Sequence, residues 1–552
     1  MSKASHLIVE VMVLVVGVSP MASWGAVTLL DRPDIKVQDA TTGIEAKGHE
    51  CAVVVHPDDW KTVLMSVIGA YPGGFNHCLE WISTDGASTW KGDSLSDRSI
   101  DWGDPSVAIL KGSPTRYFVQ GLNTKSAQHV AFTDTPSAPF SSGVAVVTDL
   151  EDSADKGWIA ADNTTSQTTA GRMYSIWYSV NGGLKLRYSP AEDRGSDWEP
   201  STPISLRSTG ACWGGTLAIG IQDSVLGHVY VAWPNATVAI AAPGSISFKR
   251  SNGTLPLSFV PLSSSGEVVT SLENVSFAAR APLPNGDNTG ANSIPSMATD
   301  DQGNIYVAWG QKRSGGDDAH AYMKKSTDEG VNWGTAIEIS PSQSDQWMPS
   351  IAWDDEAKAL VAMFHDSRAN VNQAEVYIAV SYDRGATFTE LKVSDAPWSG
   401  NPSGANDYNG IASVGGVTYP MWCDDRDGVL KVYTSPTLIG GIENTSIVPT
   451  ITHFCTAGSP RIRFQVDWST LAKMEGLDKL TVTRPGGTQY TATASSTSKT
   501  HQLVIADVGC GNGTWTYKVE SNKGPHKSES AVIGVSVSCM TCPPCPPPCE
   551  LD

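Results

Sequence analysis

Beyond its N-terminal region the sequence lacks any long apolar run, and charged residues make up only 17% of its 552 residues. Without an apolar run of about 20 residues, no segment of that part is expected to cross a bilayer as a helix. Basic residues are scarce and scattered, with 38 Lys and Arg against 57 Asp and Glu. The net charge of −19 argues against nucleic acid as a partner, because phosphates require clustered Lys and Arg. The acidic balance suits solubility and could attract cations such as calcium. No cofactor is expected to be required.

The first residues have the pattern of a secretory signal peptide. Lys3 precedes an apolar run from Leu7 to Val18, and small residues near Gly25 offer a cleavage site. We therefore expect residues 1–26 to be a signal peptide and the mature chain to be secreted, periplasmic or at the cell surface, without a transmembrane segment. The alternative is an uncleaved, membrane-anchored form. All ten cysteines follow this segment, and an even number in an exported chain predicts disulfides.

A repeat of the form Gly-x-x-Tyr-x-x-Trp organises the middle of the chain. Its four copies carry Tyr174, Tyr230, Tyr306 and Tyr419, spaced by multiples of about 57 residues apart from one insertion of about 19. Apolar residues alternate at period two within each copy, which predicts a β-strand. Units of this size cannot bury their apolar faces alone, so they must stack or close into a ring. A ring of four-stranded units is a β-propeller.

A second repeat, Ser-x-Asp-x-Gly-x-Thr-Trp, follows the first within each unit. Two copies are nearly complete, one has Ala87 in the glycine position, and one lacks the leading serine. The aspartate is expected to accept backbone N–H groups across a turn, the glycine to adopt a left-handed conformation, and the aromatic ring to be buried. The residues assigned to these structural roles are Asp85, Trp90, Asp193, Gly195, Trp198, Asp328, Gly330, Trp333, Asp383, Gly385 and Phe388.

This second repeat is the Asp-box, or BNR repeat, and through it residues 45–440 resemble the sialidase-like propellers. The resemblance implies an all-β propeller, and counting the repeats predicts seven blades, or six if one decayed copy is miscounted. It also implies an active face opposite the Asp-boxes. The Phe/Tyr-Arg-Ile-Pro motif of sialidases has its nearest match at Ser293-Ile294-Pro295, where Ser293 replaces the arginine that grips the sialic acid carboxylate. We therefore expect no exo-sialidase activity.

The chain is predicted to contain three regions after the signal peptide. A propeller over residues 27–441, in which Val27–Lys47 could supply the closing strand, precedes a small β-sandwich over 442–538 that resembles immunoglobulin or fibronectin type III modules. A Cys- and Pro-rich tail over 539–552 could form disulfides within or between chains. In such a sandwich Cys455 and Cys510 lie in turns at the same end, so we predict a disulfide between them; the competing pairing is Cys510 with Cys539.

The candidate site residues are at the ends of second strands and the starts of first strands, on the expected active face. Second-strand ends repeat an aromatic-x-Asp-x-Arg pattern, whose guanidinium groups could hold a carboxylate or only tie each loop to its neighbour. First-strand starts could hold a cation, supply general acids, stack on sugars, or form a solvated channel mouth. The candidate catalytic residues are Asp104, Asp155, Asp366, Asp407, Tyr408 and Asp424. The candidate ligand-binding residues are Arg313, Arg368, Arg426, Lys156, Trp102, Trp158, Trp213 and Trp347.

These features predict that the propeller recognises extracellular glycans or surface polymers through the face opposite the Asp-boxes. The first alternative is a glycoside hydrolase of the sialidase-like type, or a polysaccharide lyase, that uses carboxylates of this face. The second is a structural adhesion or assembly scaffold. A suitably separated carboxylate pair around one pocket would favour hydrolysis, whereas a flat face with exposed aromatic rings would favour binding.

Overall fold

The structure of the protein, a computed structural model, describes residues 33–40, 45–70, 76–93, 103–123, 126–141, 143–147, 153–165, 169–179, 183–207, 212, 214–220, 227–235, 243–260, 274–276, 294–312, 319–399, 408–456 and 459–541. Within these residues the regular elements are β-strands and one 3-10 turn, Asn444–Ser446, and no helix is long and apolar enough to cross a membrane. The predicted all-β fold is confirmed. The chain forms two compact units, Asp31–Thr437 and the chain from Leu438 onward.

The described part of the first unit contains seven antiparallel sheets, six of which are built from consecutive strands. Sheet 1 comprises His49–His56, Asp59–Ala70, Asn76–Ser83 and Lys91–Asp93. Sheet 2 comprises Gly103–Leu110, Arg116–Leu122, Gln128–Thr133 and Val144–Ala145. Sheet 3 comprises Ala154–Ala161, Met173–Ser179, Gly183–Ser189 and Glu199–Ser205. Sheet 4 comprises Thr216–Ile219, Val229–Asn235, Pro243–Ser251, Phe259–Val260 and Asn274–Ser276. Sheet 5 comprises Ser296–Thr299, Ile305–Lys312, Ala319–Ser326 and Ile337–Glu338. Sheet 6 comprises Gln346–Asp354, Ala359–Asp366, Glu375–Ser381 and Thr389–Lys392.

The seventh sheet combines strands from both ends of the unit. Sheet 7 comprises Gly410–Val414, Val417–Asp424, Lys431–Thr434 and, as its outer strand, Ile35–Lys36; a short strand, Thr437–Leu438, follows in the chain. Ile35 pairs with Thr434, so the N-terminal stretch supplies the closing strand. The first strand of every sheet contacts the first strands of its two neighbours, and these contacts lead through all seven sheets back to sheet 1. The unit is therefore a β-propeller, as the repeats predict.

The apolar core of the propeller lies between neighbouring sheets. Trp177, Trp233, Trp309 and Trp422, which end the copies of the first repeat, are fully buried. Trp309, for example, packs in one cluster with Phe248 of the preceding sheet. A side chain of this size removes a large apolar area from water, so each ring helps to hold two sheets together.

The Asp-boxes connect the third strand of a sheet to its fourth and form the expected hydrogen bonds. In sheet 5, Asp328 Oδ1 accepts from the backbone N–H of Asn332 at 2.8 Å, and Ser326 Oγ accepts from Gly330 N at 2.9 Å. The boxes of Asp85 and Asp383 repeat this pattern. Gly330 has φ +85°, and a Cβ there would lie 2.1 Å from Phe248, so the position requires glycine.

The box of sheet 3 differs from its prediction. Ser189 Oγ accepts from Gly195 N at 2.8 Å, so the copy thought to lack its leading serine has one, displaced upstream by a longer turn. In this turn the backbone carbonyl of Asp193 accepts from Ser196 N at 3.0 Å. Trp198 is buried in the core between sheets 2 and 3.

The second unit contains two antiparallel sheets. One comprises Val448–Thr456, Ser459–Ser469 and Thr500–Gly509, and the other comprises Gln489–Ser496, Gly476–Thr483, Gly513–Lys523, His526–Glu529 and Ile533–Val537. Phe464 of the first sheet and Trp515 of the second stack within one shared core. Kinship with immunoglobulin or fibronectin modules stays a prediction.

The disulfide predicted in this unit is wrong. Cys510 pairs with Cys539, with Cα atoms 5.7 Å apart, while Cys455 forms a different disulfide. The cause is strand pairing, because Gly513 lies opposite Val537 in the sheet. The cysteines just outside this paired segment therefore meet, as the competing pairing requires.

Candidate functional site

The two edges of the propeller are set by its strand order. Because successive strands are antiparallel, the turn that holds an Asp-box lies at one edge, and the starts of first strands and ends of second strands lie at the other. We call these the box edge and the site edge. The site edge is where the sequence placed its candidate residues.

First strands at the site edge begin with a β-bulge in several sheets. Register shifts occur at His49/Ala52, Gly103/Ser106, Asp155/Gly157 and Trp347/Ser350. Each bulge contains a non-glycine residue at positive φ: Glu50 at 60°, Asp104 at 54°, Lys156 at 31° and Met348 at 51°. A left-handed conformation is unfavourable for such residues, so its repetition at the same place is a constraint of the fold that redirects these side chains.

A short x-Pro-Ser repeat occurs at three first-strand starts, two of which have a bulge: Asp104-Pro105-Ser106, Ile294-Pro295-Ser296 and Met348-Pro349-Ser350. Ser106 Oγ accepts from Ile159 N of the next sheet at 3.1 Å, and Ser296 Oγ accepts from Ile351 N at 3.0 Å. The serines therefore connect neighbouring first strands. The segment that resembled the sialidase arginine motif is one copy of this repeat, and Ser293 itself lies outside the described residues.

Two of the predicted carboxylates come together between sheets 2 and 3. Asp104 Oδ2 and Asp155 Oδ1 both accept from the backbone N–H of Lys156, at 3.0 Å each. Burial, the charge of Asp104 and a hydrogen bond between the two carboxyl groups raise the pKa of Asp155 to about 7. Asp155 is therefore partly protonated near neutral pH.

The side chain of Lys156 lies against two aromatic rings. Its ammonium is 3.0 Å from the ring centre of Tyr408 and 5.1 Å from that of Trp158, and only 3% of the residue is exposed. Tyr408 donates through its hydroxyl to Pro105 O at 3.0 Å and packs edge-on against Trp158. The charge of Lys156 is thus directed at the rings, while Trp158 stays half-buried and reaches the surface.

A small cavity opens beside Trp158, near the centre of the ring. First strands or strand starts of five consecutive sheets line it, including Thr216, Ser296, Ser350 and Asn409. Its volume is about 20 Å³, about the space of one water-sized group. Asn409 Nδ2 lies 2.6 Å from His365 Nε2, and burial lowers the pKa of His365 to about 4, so this histidine is neutral at physiological pH.

The Asp–Arg pairs at second-strand ends are internal ties. Arg368 donates to Asp366 and Glu390, each at 2.6 Å, and stacks on the ring of Tyr377. Arg426 pairs in the same way with Asp424 and Asp34 and lies over Tyr433. Asp366 and Asp424 have no exposed surface. Of the two roles predicted for these arginines, the contacts of the described residues favour the structural one, in which each Asp–Arg pair holds its loop in place, over the binding of a ligand carboxylate.

Trp347 lies at a strand start but is fully buried. Its ring stacks on His365 with centroids 5.4 Å apart, in a cluster with Trp398 and Met348. The predicted ligand contact by Trp347 is therefore wrong. Four other candidates, Trp102, Trp213, Arg313 and Asp407, lie outside the described residues.

Asn409, His365 and Glu80 are at or near the site edge but were not among the residues predicted from the sequence. Burial, followed by the charges of Asp104, Glu80 and Glu50, raises the pKa of the Cys78 thiol well above its usual range, which shows that these acids converge. Nothing in the local sequence of Glu80 signals this, because the acids come from three different strands of sheets 1 and 2. No described group of three or more His, Cys, Asp and Glu side chains is arranged as a metal site, so none is assigned to calcium.

Comparison with known proteins shows no family for this chain. No protein-family model matches it, and no curated protein matches it significantly. Among solved structures, a lectin from Burkholderia pseudomallei matches with a TM-score of 0.46 and 13% identity, over 70% of this chain and 95% of the lectin. A sialidase from Trypanosoma rangeli, in complex with the inhibitor DANA, matches with a TM-score of 0.38 and 11% identity, over 91% of this chain and 89% of its own.

An α-L-arabinofuranosidase from Fusarium graminearum also matches, with a TM-score of 0.39 and 11% identity, over 74% of this chain and 97% of that enzyme. These similar structures thus include a lectin and glycoside hydrolases. At identities of 13% or less and TM-scores below 0.5, these matches carry no conclusion about the ligand or the function of this chain.

Proposed function

We propose that this propeller recognises saccharides of extracellular or surface polymers at the mouth of its central ring, on the site edge. The observation that carries the proposal is the half-buried ring of Trp158, which lies next to both a carboxyl pair and a small cavity. The apolar face of a sugar ring fits an aromatic ring, and its hydroxyl groups fit carboxylate acceptors. The expected export of the chain would bring it into contact with such polymers.

The same geometry disfavours a two-carboxylate glycosidase at this place. Such enzymes hold their carboxyl groups about 5 Å or more apart with the scissile bond between them. Asp104 and Asp155 are instead hydrogen-bonded to each other, so no glycosidic bond fits between them. The raised pKa of Asp155 does leave it able to donate a proton, which keeps hydrolysis as the second candidate.

A glycan array with the purified chain, followed by titration calorimetry, tests recognition. Trp158→Ala should weaken binding of a captured saccharide about tenfold, since a central aromatic contact contributes on the order of 1.4 kcal/mol. The matched control is Val331→Ala, an exposed apolar residue at the box edge, which should bind as the native chain does.

The proposal fails if no saccharide is captured, or if Trp158→Ala binds as tightly as the native chain. A parallel assay of reducing ends released from each captured glycan separates recognition from hydrolysis. Fluorophore release from a sialoside at an enzyme-like rate would contradict the expected absence of sialidase activity.

A further inference from the structure

We propose that the cavity beside Trp158 selects saccharides that insert an uncharged hydroxyl group, which donates to Asn409 Oδ1, and rejects those that present a carboxylate or sulfate there. This inference rests on the proposed function and names the chemistry of its ligand. It is carried by the orientation of one amide, by the size of the cavity and by the charges around it.

The amide of Asn409 is held with its oxygen unused. Its Nδ2 faces two acceptors, His365 Nε2 at 2.6 Å and Met348 Sδ at 3.7 Å. A neutral His365 can accept this hydrogen bond, which orients the amide. Asn409 is only 4% exposed, and its Oδ1 has no hydrogen-bond partner within the described part of the chain. A buried acceptor without a partner is unfavourable, so a ligand donor that reaches it gains a hydrogen bond that the free protein lacks.

The size of the cavity limits what can reach Asn409. A volume of about 20 Å³ takes one hydroxyl group but not a carboxylate, sulfate or sugar ring. The ring of the ligand must therefore stay outside, where Trp158 offers its half-buried face, while one substituent enters. Pro295 and Pro349, which also line the cavity, have no backbone N–H to offer an anion.

The charges of the site edge also disfavour an anion. The carboxyl pair of Asp104 and Asp155 adjoins the cavity residues Trp158 and Tyr408 through Lys156. The ammonium of Lys156 is covered by both rings, and the guanidinium groups of Arg368 and Arg426 are held by buried carboxylates. A ligand carboxylate in the cavity would therefore find no described cation directed at it.

The first test compares matched neutral and acidic probes on the native chain. The probes are tetrasaccharides of β-1,4-linked glucose, mannose and galactose, each alongside its counterpart oxidised to a carboxylate at C6. We expect at least one neutral probe to bind and its oxidised counterpart to bind at least tenfold more weakly. Equal or tighter binding of the oxidised probes overturns the inference but leaves saccharide recognition standing. Binding of none of the probes also overturns the inference, and saccharide recognition then fails only if the glycan array captures nothing.

The second test asks whether Asn409 contacts one particular hydroxyl group of the neutral probe that binds best. Deoxy analogues at each ring position are titrated against the native chain and against Asn409→Leu, with Asn370→Leu as control on an exposed loop of the same edge. One deoxy analogue should bind the native chain and the control about tenfold more weakly than the parent. With Asn409→Leu the parent should bind as weakly as that analogue.

A deoxy effect that persists in Asn409→Leu overturns the inference, because the hydroxyl would then bind elsewhere. So does an unchanged affinity of Asn409→Leu for the parent probe. If Asn409→Leu does not fold, the comparison of neutral and oxidised probes on the native chain still decides.

Discussion

The two edges of the propeller use the same residue type in opposite ways. At the box edge, burial alone would raise the pKa of Asp85, but hydrogen bonds from Thr89 and Ser83 outweigh it and hold this pKa below its usual value. Asp328 and Asp383 are held in the same way. At the site edge, burial and a neighbouring carboxyl group raise the pKa of Asp155.

The difference is one between local and non-local partners. The donors that bind an Asp-box aspartate lie within four residues of it along the chain, so the motif can be recognised from the local sequence alone. Asp104 and Asp155 come from different sheets and meet only when the ring has assembled. Side chains that the assembled ring brings together can be held in environments that shift their pKa values. Such shifts are common at functional sites.

The substitution with the largest expected effect tests whether the arginines of the site edge stabilise the fold and do not contact the ligand. Arg368→Met removes the cation between Asp366 and Glu390 and leaves a fully buried carboxylate without its counter-charge. We expect a loss of about 3–5 kcal/mol in urea unfolding, with saccharide affinity unchanged below the transition. The control Lys358→Met, in an exposed ion pair at the box edge, should cost about 1 kcal/mol or less. Lost affinity at native stability would instead make Arg368 a ligand contact.

A smaller loss is expected at the box edge. Asp328→Ala deprives Asn332 N and Ser326 Oγ of their acceptor, which should cost about 1–2 kcal/mol and lower the melting temperature without affecting binding. Asp355→Ala, an exposed aspartate at the same edge, should change stability by less than about 0.5 kcal/mol. If Asp328→Ala abolished binding while melting normally, the box would have a functional role.

The smallest expected effect is a dependence of stability on pH, and its sign differs between the two edges. Since the folded pKa of Asp155 is about 7 and the ordinary pKa of an aspartate is 3.8, the folded chain keeps a proton that the unfolded chain releases between these values. Stability should therefore increase by about 1 kcal/mol as the pH falls from 7.5 to 6. The lowered pKa of Asp328 acts the other way, with stability lost as the pH falls below about 4.

Denaturation midpoints at a series of pH values measure both branches. Asp155→Asn should remove most of the gain between pH 7.5 and 6, and Asp355→Asn should retain it. A steady fall in stability over that interval would show that Asp155 is ionised in the folded chain.

The sequence predicted what depends on neighbours along the chain. The Tyr and Trp repeat gave the strands, and the Asp-box gave the turns and hence the two edges. It misjudged Cys510 because pairing in the second unit depends on which strands become adjacent. It could not show that Asn409 meets His365, since sheets 6 and 7 contribute one residue each. Trp347 looked like a ligand contact because position in a strand does not reveal burial.

The closing strand also fixes an order of events during synthesis. Ile35–Lys36 leaves the ribosome before the rest of the propeller, yet its partner strand Lys431–Thr434 leaves last. Asp34 must likewise wait for Arg426, 392 residues further on. Until then the outer edge of sheet 7 cannot form, and the first and last sheets remain open to other chains. A fragment that stops short of residue 434 would thus lack this closing strand pair, so the ring is complete only in a chain synthesised past that residue.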